Sequence, residues 1–498
     1  MNKKITIAII AFIGVVVVST GVYFALKKPT PVGLQNNKPV SQNGKCGDGI
    51  CDAKEKANPN LCSQDCTQSA ASSNGSKPSV STGNKINVAD PDSPFGVTVG
   101  ESSYQNYQEF SNLGVKYARL SEKVGAWQIV EPQPGQFQWN YDDAIRNFNN
   151  SGIKPVINIK ALSNWANPPV GNKKYGLPKD LNAYSNFVKK LVERYDGDGI
   201  DDAPGSPKVE YWQIDNEVDA KFMAWDDTPE NYAILVDTSY KAIKEANPDA
   251  QVVLSGVQNP SNFSTGYFST VLEKTNSFDI FDVHIYGLKD QYENHMFEDL
   301  SLSDYLAQIR QKIGNKPIWA TEVATFVGSM KNKNDGSTVN QTEKDQATEL
   351  LKRYVYYKKS GIDIIFWSNW RIGNANDWIK RGGNPMLSYY TFEKTIEILE
   401  GSDWKNIQKI QESDDIYIYK FTKNNKSIWV AWNDNPDQKQ VTISNITSQQ
   451  IKLTEAVPKY DSGSQVTDYN SAFNAATKTV TGGAVNIAVG ISPVFVEE

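Results

Sequence analysis

The sequence predicts an α/β protein, a (β/α)8 TIM barrel followed by a small C-terminal all-β domain of the sandwich type. From Pro94 to about residue 400, short β-like runs alternate with amphipathic helical stretches, the pattern of a parallel sheet. Eight such units in roughly 300 residues suit a closed barrel. A doubly wound open sheet is the alternative, but no Gly-rich phosphate loop follows the first run. Beyond about residue 402 the pattern is all β.

Each strand of the barrel is predicted from a short run rich in β-branched and aromatic residues. The predicted strands are Phe95–Val99, Val115–Ser121, Lys154–Lys160, Val209–Asn216, Gln251–Ser255, Phe278–Tyr286, Lys316–Thr321 and Gly361–Trp367. The predicted helices include Tyr184–Tyr195, Pro229–Ala246 and Glu343–Ser360. Thr228 is a candidate N-cap and Gly361 a candidate C-cap. In the tail, β runs occur at Ile416–Phe421, Ser427–Trp432, Val441–Ser444 and Ile491–Val496.

Four regions are expected: 1–28 a transmembrane anchor or signal sequence, 29–92 a flexible stem, 93–401 the barrel and 402–498 the β domain. Ile5–Leu26 is an uncharged, mostly apolar run of about 22 residues, long enough to cross a bilayer. An uncleaved anchor is favoured over a signal peptide, because Tyr23 fits badly where small residues normally precede a cleavage site. The expected location is therefore the cell membrane, facing outward. Cleavage would make the protein secreted instead.

The stem is rich in Asn, Ser, Gly, Lys and Pro, a composition that cannot bury enough apolar surface to fold. It contains all four cysteines of the chain: Cys46, Cys51, Cys62 and Cys66. Their even number and close spacing favour disulfides in an oxidising compartment. A stapled spacer without a ligand is favoured over a small disulfide knot in which Asp48 and Asp52 hold calcium. A four-cysteine zinc site is a further alternative, although the spacing is atypical for zinc.

Charge and composition limit the partners. The formal net charge of −6 argues against a nucleic-acid partner, which calls for a basic surface. The chain has only two histidines, so a His-rich metal site is nearly excluded. Asp196, Asp198 and Asp201 alternate with glycines in a spacing that can wrap a structural calcium, with a solvated turn as the alternative. No cofactor is otherwise expected, and the protein is expected to be a monomer.

Two predicted strands end in glutamate. Glu217 ends the fourth and Glu322 ends the seventh. Chemistry collects at the C-terminal ends of barrel strands, and strands four and seven lie on opposite sides of the ring, so the carboxylates are expected to face each other across the mouth. Two carboxylic acids so arranged are what hydrolysis of a glycosidic bond needs. Two exposed loop glutamates are the alternative.

Other polar and aromatic side chains fall at the same ends of their strands. Arg119 lies near the end of the second strand, His284 and Tyr286 end the sixth, and Trp367 ends the eighth. Taken alone, His284 and Trp367 would be assigned to the core, but the combination is harder to assign to packing. Trp165, in the loop after the third strand, is a candidate platform for a sugar ring.

These residues resemble the clan A glycoside hydrolases, retaining enzymes on a β/α barrel, over roughly residues 94–400. The resemblance implies that Glu217 is the acid/base, Glu322 the nucleophile and Asn216 the donor to the sugar 2-hydroxyl. It also implies that Tyr286 hydrogen-bonds the nucleophile. By the same resemblance, Trp367 lies under the sugar in the subsite before the cleaved bond.

The loop Trp127–Trp139 is similar to the loop after strand two in several clan A families, including family 39. The third strand ends in Asn158–Ala161, without the histidine common there in family 5.

Retaining enzymes hold their carboxyls about 5 Å apart, where two negative charges repel by roughly 3 kcal/mol. We therefore expect an extracytoplasmic retaining β-glycosidase that acts on poly- or oligosaccharides by double displacement. A non-catalytic carbohydrate-binding or cell-surface attachment protein and a transglycosidase are the alternatives.

Overall fold

The computed structural model describes residues 92–169, 174–258, 260, 263, 266–289, 291–293, 301–332, 336–369 and 384–498. The expected anchor and the stem with its cysteines lie outside these residues, so both stay predictions. Within the described ranges, every helix is too short or too polar to cross a membrane.

Among the described residues, eight parallel strands form the barrel. They are β1 Phe95–Val99, β2 Tyr117–Arg119, β4 Lys154–Lys160, β5 Tyr211–Ile214, β6 Gln251–Val253, β7 Phe281–Tyr286, β8 Ile318–Ala324 and β11 Ile364–Asn369. A two-residue strand, β3 at Gly125–Ala126, pairs with β4. The barrel strands follow one another around the ring in chain order, and β1 pairs with β11. Between β6 and β7 the ring is joined by single bridges, Val253 to Ile280 and Val257 to Val283.

Helices cover the outside of the barrel. They are Tyr107–Leu113, Trp127–Val130, Asp142–Asn150, Leu181–Glu193, Pro229–Ala246, Tyr267–Lys274, Leu302–Ile313, Glu343–Lys359 and Leu387–Leu399. Thr228 caps its helix as predicted, accepting a hydrogen bond from the Asn231 backbone N–H. At the end of Glu343–Lys359 the C-cap is Ser360, and Gly361 follows with φ of 100°, a conformation that glycine adopts at little cost.

The lower part of the barrel is filled by an apolar cluster that we call the lower layer: Tyr117, Val156, Tyr211, Val253, Ile280, Trp319, Ile364 and Phe366. Ring centroids of Tyr211 and Trp319 lie 4.8 Å apart, although their strands stand on opposite sides of the ring. The lower layer therefore plugs the interior. Side chains alternate along a strand, so the next inward position after Trp319 is Thr321, two residues nearer the mouth. Above the plug the interior is lined by polar side chains.

The C-terminal domain is all β, as predicted, and its strands pair antiparallel. Its strands are β12 Gln408–Ser413, β13 Ile416–Lys423, β14 Lys426–Asn433, β15 Lys439–Ser444, β16 Gln450–Glu455, β17 Ala475–Thr479, β18 Ala484–Val489 and β19 Val494–Glu497. One sheet has the order β12-β13-β14-β19-β16-β17, and β15 pairs with β18 in a second. Apolar side chains of both sheets, including Trp429 and Ile487, share one buried cluster. Asp434 of this domain accepts hydrogen bonds from Tyr292 and the fully buried Lys352 of the barrel, so the two domains pack together.

A β-hairpin that the sequence did not predict separates the seventh barrel strand from its helix. Its strands are β9 Gly328–Lys331 and β10 Thr338–Gln341, which pair antiparallel. Most of their residues are exposed or half-buried, whereas Gln341 at the end of β10 is buried. The hairpin therefore stands out from the barrel at the end where β8 terminates.

Candidate active site

The chain turns sharply where β5 ends. Asp215 and Glu217 both adopt left-handed backbone conformations, with φ of 61° and 47°, which non-glycine residues rarely do and which cluster at functional sites. The turn is held from below: Tyr175 donates its hydroxyl to the Asp215 carboxylate at 2.5 Å, and Asn158 donates to the Asp215 carbonyl at 2.5 Å. It places Asn216 and Glu217 at the mouth of the barrel, where both are buried.

Glu217 and Glu322 meet there. A carboxylate oxygen of each lies within 4.8 Å of the other and of a ring nitrogen of His284. Glu322 is 1% exposed and Glu217 6% exposed, so neither is a solvated loop residue. The sequence left two interpretations open, two exposed loop glutamates or two carboxylates that face each other across the mouth. The structure supports the second.

Glu322 is bound on both oxygens. Arg119 donates from Nη1 to Oε1 at 2.8 Å, and the Tyr286 hydroxyl donates to Oε2. The His284 Nδ1 is 3.5 Å from the same Oε2. The predicted site residues on strands two, four, six and seven thus come together around one carboxylate.

His284 lies between the glutamates. Its Nδ1 is 2.7 Å from Glu217 Oε1, and its Nε2 is 3.1 Å from Thr321 Oγ1. Burial by itself would lower the pKa of His284, but the charge of Glu322 and hydrogen bonds with Asp282 and Glu217 raise it to about 10. His284 is therefore a cation at neutral pH, and both ring nitrogens donate.

Burial raises the pKa of Glu322 above its ordinary value, and the neighbouring Glu217 acts in the same direction. His284 and Arg119 act against this rise because both carry positive charge next to the carboxylate. These two cations are consequently what allows a carboxylate so deeply buried to ionise.

A row of polar side chains under the glutamates escaped the sequence analysis. Gln213 accepts from Arg119 Nε at 2.6 Å and donates to Asp282 at 2.6 Å. Thr321 in turn donates its hydroxyl to Asp282 at 2.5 Å. One signal was present in β7, where Asp282, His284 and Tyr286 alternate and therefore share its inward face. Buried polar groups of this kind need partners, and here each supplies one to the next.

Gly256 was also missed, and it makes room for the histidine. A Cβ on Gly256 would lie 2.2 Å from His284 Nε2, closer than any real contact. Glycine is thus required by packing at this position. No periodicity in the sequence reveals such a close approach, because it joins β7 to the loop after β6.

Both predicted tryptophan platforms lie among the described residues, one buried and the other half-buried. Trp367 is fully buried and belongs to the hydrophobic core. Trp165 is half-buried, donates its indole N–H to the Glu131 carbonyl at 2.8 Å and packs edge-on against Trp127. It lines a cavity of about 500 Å³ together with Phe137, Phe187 and Lys190. Among the described residues, Trp165 thus contacts the loop after strand two, and Trp367 packs in the hydrophobic core.

The expected calcium turn contains a different aspartate from the one predicted. Carboxylate oxygens of Asp196, Asp198 and Asp202 lie within 4.8 Å of one another, whereas Asp201 has its carboxylate 3.9 Å from Lys190. The backbone of Asp201 is left-handed, with φ of 54°, and Asp202 rather than Asp201 joins the other two aspartates. Asp202 accepts backbone N–H groups from Gly197 and Gly199. These bonds are typical of a solvated Asx-rich turn.

Glu217, His284 and Glu322 could in principle surround a metal ion, since their ligand atoms lie within 4.8 Å of one another. A histidine binds a metal through a neutral ring nitrogen, and here both ring nitrogens of His284 already contact protein groups, Nδ1 with Glu217 and Nε2 with Thr321. These contacts favour a hydrogen-bonded network at this position.

Known proteins share this fold. A GH30 endoxylanase from Clostridium papyrosolvens C71 is 16% identical and aligns over 81% of this chain and 95% of that chain, with a TM-score of 0.55. A GH51 α-L-arabinofuranosidase from Thermotoga petrophila RKU-1 is 14% identical over 82% and 92%, with a TM-score of 0.56. A GH39 enzyme from Xanthomonas axonopodis pv. citri is 13% identical over 82% and 94%, with a TM-score of 0.56. At these identities the likeness concerns the fold alone.

No curated protein sequence matches the chain. The model of glycosyl hydrolase family 53 matches residues 142–416, more than half of the chain, and this span includes both glutamates. The resemblance to clan A is thus confirmed at the level of a glycoside hydrolase on a TIM barrel, but the family is neither 39 nor 5. The loop Trp127–Trp139 had suggested a family 39-like enzyme, whereas the histidine missing after the third strand already counted against family 5. The chain belongs to glycosyl hydrolase family 53.

Proposed function

We propose that this glycoside hydrolase retains the anomeric configuration, with Glu322 as nucleophile and Glu217 as general acid and base. One observation carries the proposal: carboxylate oxygens of the two residues lie within 4.8 Å of each other. Retaining enzymes hold these groups about 5–5.5 Å apart, whereas inverting enzymes need roughly 6.5–9.5 Å to admit a water molecule. The short separation favours double displacement.

In the first step Glu322 attacks the anomeric carbon. Arg119 and Tyr286 each hold one oxygen of its carboxylate, which orients it and stabilises its charge. A glycosyl–enzyme ester forms as the bond to the leaving oxygen breaks. Because His284 donates to Oε1 of Glu217, Oε2 is the atom left to carry the proton that the leaving oxygen receives.

In the second step the ester has removed the charge of Glu322, so Glu217 is no longer held next to an anion. Glu217, now a carboxylate, takes a proton from water, and the oxygen of that water attacks the anomeric carbon. The ester bond breaks, Glu322 leaves as a carboxylate and Glu217 is protonated again. The same pair thus serves both steps.

Asn216 is the proposed donor to the sugar 2-hydroxyl. Its Oδ1 accepts from Arg119 Nη2 at 2.6 Å, and because arginine can only donate, the amide orientation is determined. Its Nδ2 is buried and has no hydrogen-bond partner among the described residues. A substrate hydroxyl would satisfy that donor, which is costly to leave unpaired.

The proposed substrate is a β-linked poly- or oligosaccharide, and a β-galactan is the first polymer to test for a family 53 member. Trp165 and Trp367 remain proposed sugar contacts. For Trp367 this requires a face of its ring to become accessible. The proposed location, outside the cell and anchored by Ile5–Leu26, depends on that apolar run.

The test compares Glu322→Ala and Glu217→Ala on the β-galactan and on aryl β-galactosides. We expect Glu322→Ala to abolish turnover, and Glu217→Ala to keep only the first step, on aryl leaving groups that need no proton. NMR of the wild-type reaction should show the β-anomer first. Wild-type-like rates in either variant, or an α-anomer, would reject the assignment, and oligosaccharides longer than the substrate would indicate a transglycosidase.

A further inference from the structure

A second aromatic ring, that of Phe326, stacks on Tyr286, which hydrogen-bonds the proposed nucleophile Glu322. Phe326 follows β8, four residues after Glu322, and its ring is nearly parallel to that of Tyr286, with an interplanar angle of 8° and 5.9 Å between centroids. Tyr286 donates its hydroxyl to Glu322. Phe326 thus stacks directly on the residue that binds the Glu322 carboxylate. Both rings are half-buried. We call these two residues the aromatic pair.

The backbone of Phe326 is held by Gln341, the buried residue at the end of the hairpin. Gln341 donates from Nε2 to the Phe326 carbonyl at 2.8 Å. Its Oε1 accepts the Lys289 backbone N–H at 2.5 Å and the Thr325 hydroxyl at 3.3 Å. One side chain therefore ties the loop after β8, which carries Phe326, to the loop that follows Tyr286 at the end of β7. A ring on so fixed a backbone can act as a preformed surface.

The rest of the barrel interior offers no comparable ring near the glutamates among the described residues. The lower layer is sealed under the polar network, and Trp367 is fully buried. Ligand sites combine apolar or aromatic surface with a few directed polar groups. Among the residues that the structure describes, the polar groups at this mouth include Asn216, Glu217 and Glu322, and the aromatic pair supplies half-buried aromatic surface next to Glu322.

We propose that Phe326 contacts the glycone of the substrate, the part that becomes attached to Glu322, and thereby helps determine which sugars are accepted. The inference rests on the proposed function, because it takes Glu322 as the nucleophile. Contact through an apolar ring commits the occupant to a sugar with an unsubstituted C–H face. Charged or heavily substituted units would be excluded from this position.

The competing explanation is that Phe326 only supports Tyr286 and so acts through it. The two roles differ in what they change. Loss of a sugar contact weakens binding and raises KM, whereas a misplaced Tyr286 would alter the environment of Glu322 and shift the pH profile of kcat.

The experiment compares Phe326→Ala and Phe326→Tyr, with Ile410→Ala as control, because Ile410 is an apolar residue 51% exposed on β12 of the other domain. Binding is measured by calorimetry in the Glu322→Gln background, with whichever of β-linked galactotetraose, xylotetraose or cellotetraose that parent binds most tightly. KM, kcat and the pH profile are measured without Glu322→Gln on the same oligosaccharide.

We expect Phe326→Ala to weaken binding and raise KM by about 10-fold, as for loss of one aromatic contact of roughly 1.4 kcal/mol. Phe326→Tyr and Ile410→Ala should stay near the wild type, and the pH profile should not move. Unchanged binding in Phe326→Ala, or a lower kcat with a shifted pH profile at constant KM, would overturn the proposal. Turnover by Glu322→Gln would refute the nucleophile assignment alone, since the binding comparison still decides the role of Phe326. Absence of binding to every tetrasaccharide by the parent would overturn both.

Discussion

The lower and upper parts of the barrel interior are built from the same strands but are held together differently. In the lower layer, Tyr211 and Trp319 pack ring against ring across the barrel. Two residues further along the same strands, Gln213 and Thr321 are each hydrogen-bonded to Asp282. The lower layer is stabilised by apolar burial, which tolerates approximate geometry, whereas the upper one depends on directed bonds between charged groups. The apolar lower layer can therefore act as a rigid support for the upper part of the barrel, where the distances between charged groups must be short and fixed.

Breaking the lower layer should show its structural role most clearly. Trp319→Ala removes the ring that contacts Tyr117, Tyr211 and Phe366, and we expect it to lower the free energy of unfolding by about 3–5 kcal/mol. Because this layer lies below the glutamates, the variant molecules that remain folded should show an unchanged pH profile of kcat. Chemical denaturation measures the free energy of unfolding, and enzyme kinetics measure the pH profile of kcat. A shifted pH profile at wild-type stability would show that the layers are not separate.

The upper layer can be disturbed through Gly256. Gly256→Ala places a methyl group where His284 lies, so we expect the histidine to move and kcat/KM to fall about 10- to 100-fold. Gly490→Ala is the matched control, because a Cβ there meets only ordinary contacts, at 3.6 Å from Gln438. Equal activities in the two variants would mean that the position of His284 does not matter for the reaction.

A further prediction concerns the pH dependence of stability and the charge of His284. Its acidic neighbours raise its folded-state pKa, against the effect of burial, to about 10 from an ordinary value of 6.5. The stabilisation by the protonated ring is therefore complete below pH 6.5 and is lost as the pH rises through about 10. Melting temperatures between pH 6 and 10 should fall more steeply for the wild type than for His284→Gln. Parallel curves would contradict this charge assignment.

Much of the fold was predictable because it depends on local patterns. The predicted bounds of Phe95–Val99, Lys154–Lys160 and Pro229–Ala246 agree with the structure, since runs of β-branched residues, a Thr cap and a first-turn proline act within a few residues. The second and fourth strands are shorter than predicted, ending as strands at Arg119 and Ile214. There the chain leaves the sheet to carry polar side chains into the mouth.

The site was predictable in part. Glu217 and Glu322 were found because strand ends converge in a barrel, a rule that needs no coordinates. The contacts of the buried Gln341 and the exchange of Asp202 for Asp201 were not predicted. Each depends on contacts between segments distant in sequence, or on a single left-handed residue, and neither leaves a periodic signal.

By itself, then, the sequence determined the alternation of strands and helices, the all-β tail and the pair of carboxylic acids at two strand ends. Only the tertiary structure decided that the carboxylates lie within 4.8 Å of each other, that Arg119 and His284 hydrogen-bond to them, and that Phe326 stacks on Tyr286. The physical reason is that periodicity and capping act over a few residues. Distances between charges, and the pKa values that depend on them, arise only when remote strands close into one ring.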